Sequence, residues 1–343
     1  MQGGPGIVRH SPIVIPVFVS NLGCPQRCVF CDQRQFSDPV EPDRVPEIVS
    51  GFLHGCSRPE ERFRMLAFYG GTFTGIKTPL LERYLLVASS LVKQGVIHAI
   101  KASTRPDTVD TEILERLKDK GFTALELGAQ SMDDHVLELS QRGHSAGDVE
   151  DASRCIKASG LDLGLQIMPG LPGEDRESFL KGIERIIELG PETSRIYPTV
   201  VMKGTRLEEM YLAKAYTPLD LDEAINRSLF AYIRFTHAGT RVLRMGLPPS
   251  KMLEITAGPY HPSFGFLVKS RGYAIMAKRL LSSGSKDPVL RVNPRSVSEL
   301  LGYRRKNITE LGFSFVADPD IPLECICKEN TCLYFKDIID YIL

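Results

Sequence analysis

The chain has 343 residues with 42 basic and 42 acidic side chains, and 43% of its residues are hydrophobic. This composition is typical of a globular protein and excludes a disordered, collagen-like or membrane-spanning chain. A net charge of zero argues against a uniformly basic nucleic-acid-binding protein. The early apolar run at residues 13–19 is too short to cross a membrane, so we expect a cytoplasmic protein.

Strands and helices are predicted to alternate through the first two-thirds of the chain. In chain order the predicted strands are Ile13–Ser20, Arg64–Tyr69, Ala99–Thr104, Thr123–Leu127, Asp162–Met168 and Ser194–Pro198. Amphipathic helices are predicted at Asp110–Lys120 and Glu174–Leu189, and two more helical patterns lie in residues 199–240. Six strand–helix units indicate an α/β fold with a parallel sheet, a partial (β/α)6 barrel.

The regular alternation of predicted strands and helices ends near residue 240. We therefore predict a barrel domain at residues 1–240 and a small α+β extension at residues 241–343. Residues 241–306 hold 13 basic and 3 acidic side chains, whereas the tail at 307–343 holds 2 and 7. Tyrosines and phenylalanines interleave the basic segment, and this combination suits phosphate neutralisation and base stacking. A solvated basic face is the alternative interpretation.

Three cysteines, Cys24, Cys28 and Cys31, follow the first predicted strand. In α/β proteins the loops at the carboxyl ends of the strands carry the chemistry. Three thiolates from one loop can hold a four-iron cluster and leave one iron open for a ligand. A zinc site with a fourth ligand from elsewhere is the alternative.

The run from Cys24 to Cys31, with Phe30 inside it, resembles the signature of radical S-adenosylmethionine (SAM) enzymes. The resemblance implies a [4Fe-4S] cluster on the three cysteines and SAM on the open iron. It also implies reductive cleavage of SAM to a 5′-deoxyadenosyl radical, with flavodoxin or ferredoxin as electron donor. Gly70, Gly71 and Thr72 follow the second strand and resemble the family's glycine-rich turn, whose backbone receives the amino group of SAM.

Segments 103–107, 126–131 and 166–173 resemble the branch that contains coproporphyrinogen oxidase and the Elongator catalytic subunit. By this resemblance further cofactor-binding positions are Ser103, Gln130, Arg142, Gln166 and Met168. Gln166 would reach the ribose, whereas Gln130 and Arg142 would contact polar groups of SAM. An exposed arginine at a helix end is the alternative for Arg142.

Segments 126–144, 168–173 and 195–205 are similar to the Elongator catalytic subunit in particular. That family couples a radical domain to an acetyltransferase domain and modifies carbon 5 of the wobble uridine in transfer RNA. The resemblance here covers the radical domain. The 37 residues after Lys306 are too few for an acetyltransferase fold, so we expect that domain to be absent.

Three polar side chains are candidates for substrate chemistry. His261 lies in a loop of mixed polar and aromatic residues, where it can relay protons or stabilise a turn. Tyr197 and Lys203 follow the sixth predicted strand, and a solvated loop lysine is the alternative for Lys203.

A second group of cysteines, Cys325, Cys327 and Cys332, lies in the tail. On a strand, Cys325 and Cys327 share one face, and a turn can return Cys332 to them. We therefore predict a candidate second site for zinc or an auxiliary cluster, with ordinary thiols as the alternative. The motif lacks a fourth ligand, which His54, Cys56 or an external molecule would have to supply.

The leading hypothesis is a radical SAM enzyme that modifies a base in RNA, with transfer RNA as a candidate. A second hypothesis keeps the radical chemistry but takes a tetrapyrrole or another small anion as substrate. A third is a non-catalytic iron–sulfur protein that binds RNA.

Overall fold

The computed structural model describes residues 11–31, 38–249, 253–282 and 288–343. Lys251 and Lys286 of the basic segment lie outside these ranges. Within the described ranges, no helix combines the length and the apolar character that a membrane crossing requires. The chain divides into two compact units, one of residues 1–129 and 141–165, the other of residues 130–140 and 166–343.

The first unit contains strands β1 to β3 and most of β4 and β5, with helices between them. Its strands are β1 (Ile13–Phe18), β2 (Arg64–Tyr69), β3 (Ala99–Thr104), β4 (Phe122–Gln130) and β5 (Asp162–Ile167). Its helices are α1 (Val45–His54), α2 (Thr78–Lys93), α3 (Thr111–Asp119) and α5 (Ala146–Ala158). A cluster of stacked aromatic rings fills its core, with ring centroids of Phe68 and Phe73 4.6 Å apart.

The second unit begins with a short helix and continues from the end of β5. Its helices are α4 (Asp134–Leu139), α6 (Arg176–Leu189), α7 (Arg206–Leu212), α8 (Leu221–His237), α9 (Phe264–Leu281), α10 (Val297–Leu301) and α11 (Lys306–Leu311). Its strands are β6 (Thr193–Ile196), β7 (Val201–Met202), β8 (Arg241–Met245), β9 (Ile255–Ala257), β10 (Val289–Val292), β11 (Ser314–Ala317), β12 (Cys325–Lys328) and β13 (Thr331–Tyr334).

Across the described residues the main sheet has seven strands in the order β1-β2-β3-β4-β5-β6-β8. The pairs β1–β2, β2–β3, β3–β4 and β6–β8 are parallel. The α/β class is therefore confirmed. The number of strands is corrected, because β8 adds a seventh strand beside β6, whereas the sequence predicted six. The domain boundary at residue 240 stays a prediction.

The helices predicted at Asp110–Lys120 and Glu174–Leu189 are present as α3 and α6. The Asp110 carboxylate accepts the Ile113 amide at the start of α3. Asp175 forms a capping box with Ser178 at the start of α6, and Gly190 ends that helix in the left-handed conformation. The extension differs from expectation, because it contains the 18-residue helix α9, which the sequence pattern had not predicted.

Candidate active site

The cysteine triplet lies in the loop that follows β1. This loop continues the sheet for one residue, since the Val19 amide donates to the Tyr69 carbonyl at 2.8 Å. The Cys31 amide then donates to the Cys28 carbonyl at 3.2 Å, and this hydrogen bond closes a turn between the second and third cysteines. Cys28 is buried, whereas Cys24 and Cys31 are partly exposed. Phe30 is buried too, so it anchors the loop to the core of the first unit.

The glycine-rich turn after β2 lies directly against the beginning of this loop. The Thr72 amide donates to the Leu22 carbonyl at 2.9 Å, and the Thr72 hydroxyl lies 3.2 Å from the Cys24 sulfur. A Cβ atom on Gly71 would come within 2.7 Å of the Leu22 carbonyl oxygen and would also meet that of Val19. Glycine at this position is therefore required for the close approach of the two segments.

The donor set of the loop fits an iron–sulfur cluster. Three thiols come from one turn, and thiolates are the usual ligands of such clusters. Three protein ligands leave one iron of a four-iron cluster free for another ligand, whereas a structural zinc ion usually takes four protein ligands.

A buried ion pair joins β3 and β4. The Lys101 ammonium is 3.3 Å from the Glu126 carboxylate, and both side chains are less than 10% exposed. The Ser103 hydroxyl donates to the same carboxylate at 3.2 Å, and Lys101 lies 5.2 Å from the centre of the Tyr69 ring. The hydroxyl of Ser103, a predicted cofactor-binding residue, is thus hydrogen-bonded to another side chain of the protein. The sequence predictions missed Lys101 and Glu126, although Lys101 and Ser103 share a strand face by their spacing.

The predicted cofactor positions at the ends of β4 and β5 are brought together. The Gln166 side-chain amide donates to the Gln130 side-chain oxygen at 3.2 Å, and the Met168 amide donates to the Gln130 carbonyl at 2.9 Å. Gln130 itself has a φ of 67°, which is uncommon for a residue with a side chain. A non-glycine residue keeps this conformation only where the surrounding structure imposes it.

Arg142 is buried, so the alternative of an exposed helix-end arginine is wrong. One guanidinium nitrogen, Nη1, lies 3.1 Å from the Cys28 sulfur, and Nη2 donates to the Gly128 carbonyl at 2.7 Å. Its Nε is buried and has no hydrogen-bond partner within the described part of the chain. Arg142 therefore contacts the cysteine loop directly, which the sequence had not indicated.

His144, two residues further on, is a buried histidine beside two arginines. Its Nε2 donates to the Ala129 carbonyl at 3.3 Å, while Nδ1 is buried without a partner among the described residues. Burial, together with the positive charges of Arg142 and Arg105, lowers the pKa of His144 from 6.5 to about 3. The ring is therefore neutral at physiological pH and cannot serve as a cation.

The three candidates for substrate chemistry each have a protein partner. The Tyr197 hydroxyl accepts from Arg195 at 2.9 Å. Lys203 forms an exposed ion pair with Glu254 at 2.8 Å, which raises its pKa and keeps it protonated. His261 accepts the Ser263 amide on Nδ1 at 3.0 Å, as a residue that stabilises a turn would. Their roles in catalysis stay predictions.

The tail cysteines lie on β12 and β13, which pair in antiparallel fashion. Cys327 is opposite Cys332 and is joined to it by a disulfide, and the Cys325 sulfur lies 4.0 Å from that of Cys327. Spatial proximity of the three sulfurs is as predicted. A cysteine in a disulfide has no thiolate to offer, so the predicted three-ligand metal site requires the reduced form of this pair.

A further cavity of about 300 Å³ adjoins the Pro169–Gly173 turn after β5. The Glu174 side chain lines it and is buried, and burial raises its pKa to about 7 although the Gly170 amide and Arg227 stabilise the carboxylate. The Tyr216 hydroxyl donates to the Gly170 carbonyl at 2.6 Å. These contacts hold the turn that directly follows Met168.

Residues 19–210, more than half of the chain, match the Radical SAM superfamily. The chain belongs to this superfamily. Residues 191–273 also match the Radical SAM C-terminal domain. The protein is therefore a radical SAM enzyme, and its family implies a [4Fe-4S] cluster and SAM as cofactors. The Cys24, Cys28 and Cys31 loop is the part of the chain that fits the cluster.

Two archaeal relatives share the name tRNA uridine(34) acetyltransferase. The protein from Methanocaldococcus infernus is 35% identical over 268 residues, which cover 64% of this chain and 50% of the relative. That from Methanocaldococcus jannaschii is 29% identical over 268 residues, covering 64% and 49%. The radical SAM enzyme described here thus spans about half the length of these relatives.

A solved structure of Elp3 from Methanocaldococcus infernus, lacking its first 46 residues, has the same fold. It superposes with a TM-score of 0.62 at 23% identity and covers 77% of this chain and 63% of that chain. The sheet of this radical SAM enzyme is therefore that of a partial TIM-like barrel, as the sequence predicted.

Proposed function

We propose that this radical SAM enzyme modifies a base in RNA, with transfer RNA as the substrate class. The observation that carries the radical chemistry is the contact between Cys24 and Thr72, which joins the cysteine loop to the glycine-rich turn. The RNA substrate is supported by the relatives named tRNA uridine(34) acetyltransferase and by the basic segment at residues 241–306. A flavodoxin or ferredoxin would supply the electron.

The residues of the chain have separate roles in this proposal. Cys24, Cys28 and Cys31 would hold the cluster, which when bound supplies the electron for cleavage of SAM. Gly71 has no side chain between the loop and the turn, so the backbone of the turn stays close to the cluster site. Gln130 and Gln166 present amide groups that can exchange their mutual hydrogen bond for bonds to polar groups of SAM.

A surface turn at Tyr303–Lys306, called here the Tyr303 turn, supports RNA as the substrate. The Tyr303 ring is 42% exposed, Arg304 lies 5.4 Å from its centre, and the His261 ring meets it edge-on at 5.1 Å. An exposed aromatic ring with adjacent cations can stack on a base and neutralise neighbouring phosphates. His261 then acts by holding the Tyr303 ring in position.

The backbone of this turn is strained and is held by a buried side chain. Arg304 and Arg305 both have positive φ, 51° and 62°, an uncommon conformation for residues with side chains. The buried Asn307 amide donates to the Leu300 carbonyl at 3.1 Å and to the Ser270 carbonyl at 3.2 Å. Such strain persists where the surroundings impose it, and it is common at functional sites.

Salt-dependent RNA binding tests the surface. The variant with serine at Arg304, Arg305 and Lys306 should bind transfer RNA with a log–log salt slope flatter by about 2, at about 0.7 for each phosphate that is no longer neutralised. The matched control replaces the exposed Lys93, Arg154 and Lys181, which removes the same charge elsewhere. Equal slopes for the two triple variants would contradict a specific role of the Tyr303 turn.

Nucleoside mass spectrometry of transfer RNA tests the proposed function itself. Cells that lack the protein should lose one modified nucleoside, which wild type restores and Cys28→Ala does not. An unchanged nucleoside spectrum would overturn the RNA proposal and favour a small anionic substrate. Restoration by Cys28→Ala would favour the non-catalytic RNA-binding hypothesis.

We also propose that the reduced tail cysteines bind zinc. The Cys325 sulfur lies 4.0 Å from that of Cys327, and reduction of the Cys327–Cys332 disulfide would free two further thiolates, which are preferred zinc ligands. Protein prepared with reductant and zinc should hold one zinc per chain, lost in Cys327→Ser and kept in Cys155→Ser. Absence of zinc from the fully reduced wild type would overturn this proposal.

A further inference from the structure

The turn at residues 141–144 is built against the cysteine loop by two contacts far apart in sequence. Arg142 Nη1 lies 3.1 Å from the sulfur of Cys28, 114 residues away. Beside it, Gly143 packs on the side chain of Gln26, which lies between Cys24 and Cys28; a Cβ on Gly143 would overlap that side chain. Gln141 and Gly143 both have positive φ, 53° and 65°. The backbone of this turn is thus shaped to bring Arg142 to Cys28.

The Arg142 guanidinium is held in one position by the protein around it. Its Nη2 donates to the Gly128 carbonyl at 2.7 Å, and its side chain is buried, since the residue is 6% exposed. Within the described ranges Arg142 forms no ion pair with a carboxylate, whereas the nearby Arg105 is paired with Asp107 at 2.9 Å. No carboxylate offsets the positive charge of this guanidinium, so that charge acts on the group that it contacts.

The contact between Arg142 and the Cys28 sulfur suits a cysteine that binds a cluster. Cys28 would bind iron as a thiolate, which is a good acceptor for an N–H donor. Hydrogen bonds and charges at the ligand sulfurs are known levers on the reduction potential of iron–sulfur clusters. One-electron reduction adds negative charge to the cluster, and a neighbouring cation stabilises the reduced form more than the oxidised form.

We propose that Arg142 is a positioning residue that donates to the Cys28 ligand and raises the reduction potential of the cluster. This inference rests on the proposed function, because it requires the cluster on Cys24, Cys28 and Cys31. It differs from the sequence prediction for Arg142, a contact with polar groups of SAM. Nη1 and Nη2 each already make one contact with the protein, and the buried Nε makes none.

Three variants separate the charge from the hydrogen bond. Arg142→Lys keeps the charge, Arg142→Gln keeps N–H donors without the charge, and Arg142→Met keeps neither. Each protein is reconstituted with iron and sulfide without SAM or RNA, and the cluster is titrated with dithionite and mediators under electron paramagnetic resonance. We expect the midpoint potential to become more negative in every variant, most strongly in Arg142→Met. Potentials equal to wild type at equal iron content would overturn the inference.

Arg105→Lys is the matched control, since Arg105 is equally buried in the same unit and pairs with Asp107. Its potential should equal that of wild type, and a shift as large as that of Arg142→Met would overturn the inference. If Arg142→Met holds less iron, the lysine and glutamine variants decide the test. A wild type that assembles no cluster refutes the proposed function, whereas a cluster insensitive to Arg142 refutes this inference alone.

Discussion

Between pH 8 and pH 5 the wild-type protein is expected to lose about 2 kcal/mol of unfolding free energy because of His144, and the His144→Gln variant should not show this loss. Burial and the neighbouring arginines lower the pKa of His144 to about 3 in the folded protein, against 6.5 for the free side chain. The unfolded chain therefore takes up the proton first as the pH falls. The stabilisation is fully present above about pH 6.5 and is lost progressively from there toward pH 3.

The size of this free-energy change follows from how far the pH lies below the pKa of His144 in the unfolded chain. At pH 5 the pH lies 1.5 units below the pKa of 6.5 that the side chain has in the unfolded chain, so the unfolded side chain is protonated. The ring in the folded protein is still neutral at this pH. At about 1.4 kcal/mol per unit this is roughly 2 kcal/mol. Glutamine can keep a donor for the Ala129 carbonyl but does not titrate, so the variant should lack this contribution.

Urea unfolding of wild type and His144→Gln at pH 8, 7, 6 and 5 measures the difference. Wild type should lose about 2 kcal/mol more unfolding free energy than the variant over this range. Nuclear magnetic resonance of the His144 ring should detect no protonation above pH 5. Parallel pH profiles for the two proteins, or a ring that titrates near its ordinary pKa, would refute the reasoning.

Two further substitutions test the packing around the candidate site. Gly71→Ala should destabilise the protein by about 1–3 kcal/mol in thermal unfolding, because its Cβ would meet backbone oxygens. Gly51→Ala, at an open helix position, should stabilise it slightly, and equal effects of the two would contradict this account. Lys101→Met should cost about 3–5 kcal/mol by leaving the buried Glu126 carboxylate without its cation. Adding Glu126→Gln should recover part of that loss, and a further loss would argue against the ion pair.

The parts of the fold that sequence predicted are those that local chemistry determines. The helices α3 and α6 were predicted from their amphipathic patterns, and in the structure Asp110 and Asp175 accept backbone amides at their starts. The cysteine triplet was found from its spacing, and the glycine-rich turn from its resemblance to that of radical SAM enzymes. Helix α9 was missed because it buries residues of many sizes, including Gly272, which packs against the Phe335 ring from the tail.

The parts that sequence did not predict depend on contacts between distant residues. Neither Arg142 nor Cys28 indicates the other, because 114 residues separate them. The pairing of Lys101 with Glu126 depends on the register of β3 and β4, where Ser103 faces Glu126. The pKa of His144 likewise depends on Arg105, which approaches from another segment of the chain. Such contacts require the fold before they can be seen.

Anaerobic cleavage of SAM is the most direct test of the central claim. Wild-type protein reconstituted with iron and sulfide, then reduced with dithionite, should convert SAM to 5′-deoxyadenosine. Cys28→Ala should form none, while Cys155→Ala, which changes a cysteine on α5, should match wild type. Wild-type protein that holds a complete cluster yet forms no 5′-deoxyadenosine, or a Cys28→Ala variant as active as wild type, would contradict the account.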